Sequence, residues 1–224
     1  MNRTKLADRE LPSYTKGEEI FNMVSHIVGG AIGILAIVLC SVFAGIKGDA
    51  YGVVSGVIFG VSMLVLYTMS SIYHGLKPDT TAKKVFQVID HCSIFILIAG
   101  TYTPIALCTM RERILAEGWI LFGIIWGLAL IGVALNSVDL KKYKKFSMIC
   151  YLVMGWCIIV RMGALIEAVG MTAFWFLLAG GIAYTIGAVC YGIAKKKWMH
   201  SVFHVFCIIG SVLHFLFILF YIIL

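Results

Sequence analysis

The chain has 224 residues, of which 61% are hydrophobic and only 13% charged. A soluble core of this size needs more polar surface to cover it, so the composition excludes a soluble globular protein and requires a bilayer as solvent. The net charge of +7 does not point to nucleic acid, because the basic residues sit in short clusters between apolar runs, where they set topology or meet anionic headgroups.

The first nineteen residues are polar and contain no apolar stretch of the signal-peptide kind. A retained N-terminal tail, residues 1–19, is therefore expected. Apolar runs long enough to span, about 20 residues each, follow at roughly 22–46, 51–75, 85–108, 116–137, 146–166, 171–194 and 200–223. Residues 20–224 thus read as one domain of the all-α class, a polytopic membrane bundle of seven transmembrane helices. Helices are the economical choice, because lipid offers backbone groups no outside partner. Gly52, Gly56 and Gly60 form a ladder on one face of the second span, and Gly29/Gly33 and Gly123/Gly127 are shorter versions. All are expected where helix backbones approach closely. Pro104, in "AGTYTP", is expected to kink or end the third span. The seven cysteines are odd in number and none forms CxxC. They read as small packing residues, not disulfides or ligands.

Orientation follows from lysine and arginine. The N-terminal tail carries Arg3, Lys5, Arg9 and Lys16, and the second connection Lys77, Lys83 and Lys84. The fourth carries Lys141, Lys142, Lys144 and Lys145, and the sixth Lys195, Lys196 and Lys197. These are 14 of the 18 basic residues. The positive-inside rule then places the N-terminus in the cytoplasm and the C-terminus outside. That is the reverse of the G-protein-coupled receptor arrangement. Arg161 and Glu167, near the outer end of span five, are expected to snorkel.

With the direction set, each polar residue in a span acquires a depth at about 1.5 Å per residue. His74 lies about 4.5 Å before Lys77, and Ser70 is one turn deeper. Asp90 lies about 9 Å beyond Lys84, while His200 and His204 lie about 4.5 and 10.5 Å beyond Lys197. Span one brings Glu19, Asn22, Ser25 and His26 to the same end. Ionisable groups in spans usually face the bundle interior and mark function. His200 and His204 are i, i+4 neighbours on one helix face, and His74 from another helix completes a three-histidine set. Three histidines with an open fourth position describe a catalytic zinc site. "HSVFH" lacks the glutamate of the HExxH helix, so a proton acceptor must come from elsewhere. Asp90 is the acidic residue at that depth in spans two, three and seven. It could hold and deprotonate a water on the metal, and Ser70 could donate to that water or orient His74 or Asp90. The competing reading is interfacial histidine bonded to headgroups or carbonyls. His26 reads as support behind the ligands or as interfacial, His91 as packing or interfacial, and His214 as a hydrogen-bonded core residue.

"ExxNxxSH" (Glu19, Asn22, Ser25, His26), "SxxxH" (Ser70, His74), Asp90 and "HxxxH" (His200, His204) together resemble the hemolysin III family. Through it they resemble the progestin and adipoQ receptors and the superfamily that includes alkaline ceramidases. "AGTYTP" and "HSVFHVF…LHF" strengthen the resemblance, which covers nearly the whole chain. It implies seven spans with a cytoplasmic N-terminus. It further implies zinc held by His74, His200 and His204, with Asp90 acting through a water and Glu19, Asn22 and His26 supporting from behind. It suggests hydrolysis of a membrane lipid amide or ester at the cytoplasmic face. The long N-terminal domain of the adiponectin receptors is missing, which argues against a hormone receptor. The short build is that expected in a bacterial plasma membrane. The family name brings an alternative, a membrane-lytic or pore-forming hemolysin, for which the sequence shows no water-soluble amphipathic form. A lipid- or metal-sensing receptor without turnover is a further reading. A transporter fits less well, since its broken helices lie near the midplane and this polar cluster lies near one surface.

Overall fold

The computed structural model describes residues 4–6, 8–193 and 196–224. Arg3 and Lys195, both counted in the charge asymmetry, lie outside the described residues. The elements are α1 (Lys16–Ile46), α2 (Ala50–Gly75), α3 (Thr81–Pro104), a π-helical turn (Ile105–Met110), α4 (Arg111–Arg113) and α5 (Leu115–Trp156). A 3₁₀ turn (Cys157–Arg161), α6 (Met162–Gly192), α7 (Met199–Ile218) and a second π-helical turn (Leu219–Ile223) complete the chain. No strand occurs among the described residues.

Burial is inverted relative to a water-soluble protein. Val28, Leu35 and Val153 are 53%, 53% and 60% exposed, while Asn22, His26, Lys83 and Asn136 are buried. Apolar side chains face outward where lipid would lie, and polar ones face the bundle. Among the described residues, five helical stretches are long and apolar enough to cross a bilayer. The fourth, Leu115–Gly192, has 78 residues. Straight, it would be about 117 Å long, against a hydrocarbon core of about 30 Å. It turns instead at Asp139 (φ −158°, ψ 92°) and at Gly170 (φ 86°, ψ 165°). Gly170 has a backbone conformation open in practice only to glycine.

Three boundaries differ from the sequence expectation. α1 starts at Lys16, ahead of the apolar run, because Thr15 and Glu18 form a reciprocal capping box. The Lys141–Lys145 connection is helical, because Asp139 Oδ1 accepts the Lys142 N–H at 3.1 Å and restarts the helix at once. The expected fifth span is not one regular helix, since it passes through the 3₁₀ turn Cys157–Arg161. α3 ends at Pro104, in line with the expected kink or end, and the chain continues through the buried π turn into α4.

Glycine sets the α1–α2 seam. A Cβ on Gly56 would meet Cys40 Cβ at 2.6 Å, and one on Gly60 would meet the Ile37 backbone nitrogen at 2.5 Å. Gly33 answers from α1, where a Cβ would lie 2.9 Å from Leu64 N. Gly123 and Gly127 do not repeat this, for nothing lies within 4 Å of a Cβ at either position. All seven cysteines are free thiols. At the opposite end of the bundle from the histidines, Arg161 pairs with Glu117 and Arg113 with Glu167. Arg161 and Glu167 are thus held in ion pairs.

Candidate metal centre

Antiparallel helices bring the start of α1, the end of α2 and the starts of α3 and α7 to one end of the bundle. Their caps are tied together. Glu18, which closes the α1 capping box, also accepts the Trp198 N–H at 2.7 Å. Trp198 is left-handed (φ 65°) and immediately precedes α7. The first turns of α7, with His200 and His204, are thereby placed beside α1.

His74 sits in the last turn of α2. Its Nδ1 lies 2.6 Å from Glu19 Oε2. The other Glu19 oxygen pairs with Lys83 Nζ at 2.9 Å. Lys83 is buried and also donates to the Tyr73 and Leu76 carbonyls at 3.0 and 3.1 Å. These are C-terminal carbonyls of α2 that would otherwise lack helical partners. Glu19 holds the proton of His74 on Nδ1, so Nε2 presents its lone pair to the bundle interior. A carboxylate behind a histidine is the common support of a metal ligand.

The three Nε2 atoms converge. His200 Nε2 lies 3.3 Å from His74 Nε2 and 3.1 Å from His204 Nε2. All three residues are buried, and their ligand atoms lie within 4.8 Å of one another. Hydrogen bonding accounts for at most one of these two short contacts. An imidazole nitrogen has a single in-plane position, occupied by a proton or a lone pair. His200 Nε2 cannot donate to one neighbour while accepting from the other. A tetrahedral ion with metal–nitrogen bonds of about 2.0–2.1 Å separates its ligands by about 3.3–3.4 Å. The residues present fit a metal ion.

His26 is stacked on His204, with centroids 3.7 Å and planes 19° apart, and packs edge-on against Tyr67 at 4.9 Å. It lies inside the cluster, not at an interface. Asn22 is fully buried one turn before it. Ser70 and Asp90 line one cavity together with His26, His200 and His204. Asp90 Oδ2 is 3.6 Å from His91 Nδ1. His91, which the sequence leaves as packing or interfacial, lines the same cavity and contacts the Tyr191 hydroxyl at 3.0 Å. His214 is a core residue whose Nε2 donates to the Leu177 carbonyl at 3.1 Å. The cavity extends from this end along α3 to Tyr102 and along α7 to His214. Its deeper walls are apolar, including Leu97, Ile98 and Leu152.

Two members of the site are absent from the sequence reading. Lys83 reads as one more topology lysine. Its signal is spacing, since Lys83, Gln87 and Asp90 fall at i, i+4 and i+7 on one helix face. Tyr14, just before α1, stacks on His200. Nothing in its sequence surroundings marks it.

The chain matches the Haemolysin-III related family over residues 14–215. It belongs to that family. Among haemolysin III relatives, "Hemolysin-3" of Bacillus cereus is 38% identical over 205 residues, covering 92% of each chain. "Hemolysin-3 homolog" of Bacillus subtilis (strain 168) is 38% identical over 208 residues, covering 93% of this chain and 96% of its own. The haemolysin III match covers every histidine of the cluster.

Proposed function

We propose that this haemolysin III protein is a zinc-dependent hydrolase of a membrane lipid amide or ester. The observation that carries the reading is the convergence of three buried Nε2 atoms at 3.1 and 3.3 Å. The topology that accompanies it counts the turns at Asp139 and Gly170 as membrane returns. That gives seven crossings over residues 20–224, a cytoplasmic tail of residues 1–19 and an outer C-terminus, in a bacterial plasma membrane. The histidine end then lies at the cytoplasmic face.

His74, His200 and His204 would hold the ion. When bound, zinc polarises a carbonyl oxygen and lowers the pKa of a coordinated water. Asp90 would take a proton from the attacking water and return it to the departing amine or alcohol. The products are a carboxylic acid and that amine or alcohol. Ser70, which lines the same cavity as Asp90, would orient the reacting groups. A lipid is favoured because the apolar cavity wall runs from Asp90 to Tyr102, about 18 Å along α3. One leaflet of hydrocarbon is about 15 Å deep. A chain in the cavity places its head linkage at the histidine end.

The test is metal analysis beside lipid hydrolysis in purified protein. Wild type should hold one divalent metal per chain. His74→Ala, His200→Ala and His204→Ala should each lose it, and His214→Ala should keep it. Asp90→Asn should keep metal and lose turnover. Full metal in the triple histidine variant would end the metal reading. The names of the relatives favour a second reading, membrane lysis. Lysis that survives Asp90→Asn and removal of the histidines, without hydrolysis by wild type, would favour it.

A further inference from the structure

Tyr14 lies outside the helices, yet it covers a proposed metal ligand. Its ring is 4.8 Å from that of His200 with planes 16° apart, and 5.8 Å from that of His74. The cavity reaches His200 and His204 without any contribution from Tyr14. His200 is thus covered from two sides, by the wall of the apolar cavity and, at the end of the bundle, by Tyr14. Tyr14 is followed at once by Thr15, whose N–H and hydroxyl both bond to Glu18 Oε2, at 2.9 and 2.8 Å. Further back, the Thr4 N–H donates to Asp139 Oδ2 at 2.9 Å, at the α5 turn. The tyrosine is thus tethered on both sides. Burial pushes its phenol well above the usual range, so the ring remains neutral beside the histidines.

We infer that Tyr14 is a cover on the water-facing side of the histidine cluster, and that it slows exchange of the bound divalent metal with water-soluble ligands. The inference rests on the reading that the three histidines hold a metal. An aromatic stack of this kind changes an equilibrium by about two- to twelvefold. The cover therefore acts on the rate of access and leaves the ligand set unchanged.

The experiment strips zinc-loaded protein in lipid nanodiscs with two chelators, EDTA in water and the lipid-soluble 1,10-phenanthroline. Metal content before stripping is measured first. A wild type that binds no metal removes the three-histidine reading itself. With metal present, EDTA should strip Tyr14→Ala roughly tenfold faster than wild type. Tyr14→Phe, which keeps the ring, should match wild type. Phenanthroline, arriving through the cavity, should strip all three at similar rates. Equal EDTA rates for wild type and Tyr14→Ala, both fully loaded, overturn the cover and leave the metal site standing. Equal acceleration by both chelators overturns it too, for it means a loosened site. Should Tyr14→Ala load no metal, a T4C/D139C pair decides. Its oxidised form should release zinc to EDTA more slowly than its reduced form, and equal rates overturn the inference.

Discussion

Glu19 Oε2 and His74 Nδ1 meet at 2.6 Å, although 55 positions separate them in the chain. One joins the site from the first turn of α1 and the other from the last turn of α2. The contact fixes both the tautomer and the angle of His74. Among the described residues no carboxylate pairs with His200 or His204, so His74 is the imidazole of the three held by a carboxylate.

Glu19→Gln is therefore expected to weaken metal affinity about 10- to 100-fold, the usual effect of losing such a partner. The protein should still fold, because an amide can retain one bond to Lys83. Competition with a chelator of known affinity reads the change. Unaltered affinity would show that His74 orients itself without Glu19.

Lys83→Met should destabilise the protein by about 3 kcal/mol, since it leaves the Glu19 carboxylate without its buried cation. It also leaves the Tyr73 and Leu76 carbonyls without their donor. Adding Glu19→Gln should restore part of the loss. Thermal unfolding of the two single variants and the double variant measures the coupling. Simple additivity would mean that the pair does not act as a unit.

Gly60→Ala and Gly127→Ala should diverge. The first forces a methyl group to within 2.5 Å of the Ile37 backbone, whereas the second meets nothing within 4 Å. Overpacking costs about 1–3 kcal/mol, while alanine in an open helix position is favoured over glycine by about 1 kcal/mol. Unfolding midpoints in detergent should fall for Gly60→Ala and hold or rise for Gly127→Ala. A Gly60→Ala variant as stable as wild type would argue against close α1–α2 contact.

A reporter fused after Leu224 should be active only outside the cytoplasm, and one placed in the Lys141–Lys145 segment only inside. The distribution of 14 basic residues against 4 motivates this. A C-terminal reporter active in the cytoplasm would remove a crossing from the proposed seven.

The all-helical class, the membrane setting and the level of the site are determined by the sequence alone. Lipid permits one economical backbone, and that backbone rises by about 1.5 Å per residue. Counting from the lysine clusters therefore puts His74, His200 and His204 at one end, where the structure joins them. Rotation about each helix axis and the choice of neighbour are not contained in such counting. Lys83 has the same local composition as a lysine that only marks a boundary, yet α2 and Glu19 surround it. Gly123/Gly127 and Gly56/Gly60 share one spacing, but only the second pair faces another backbone. Tyr14 belongs to a polar lead-in with no periodicity, and its position depends on where α7 begins, which in turn depends on Trp198 bonding to Glu18 across the bundle. These placements arise from contacts between segments far apart in the chain, so the tertiary structure alone decided them.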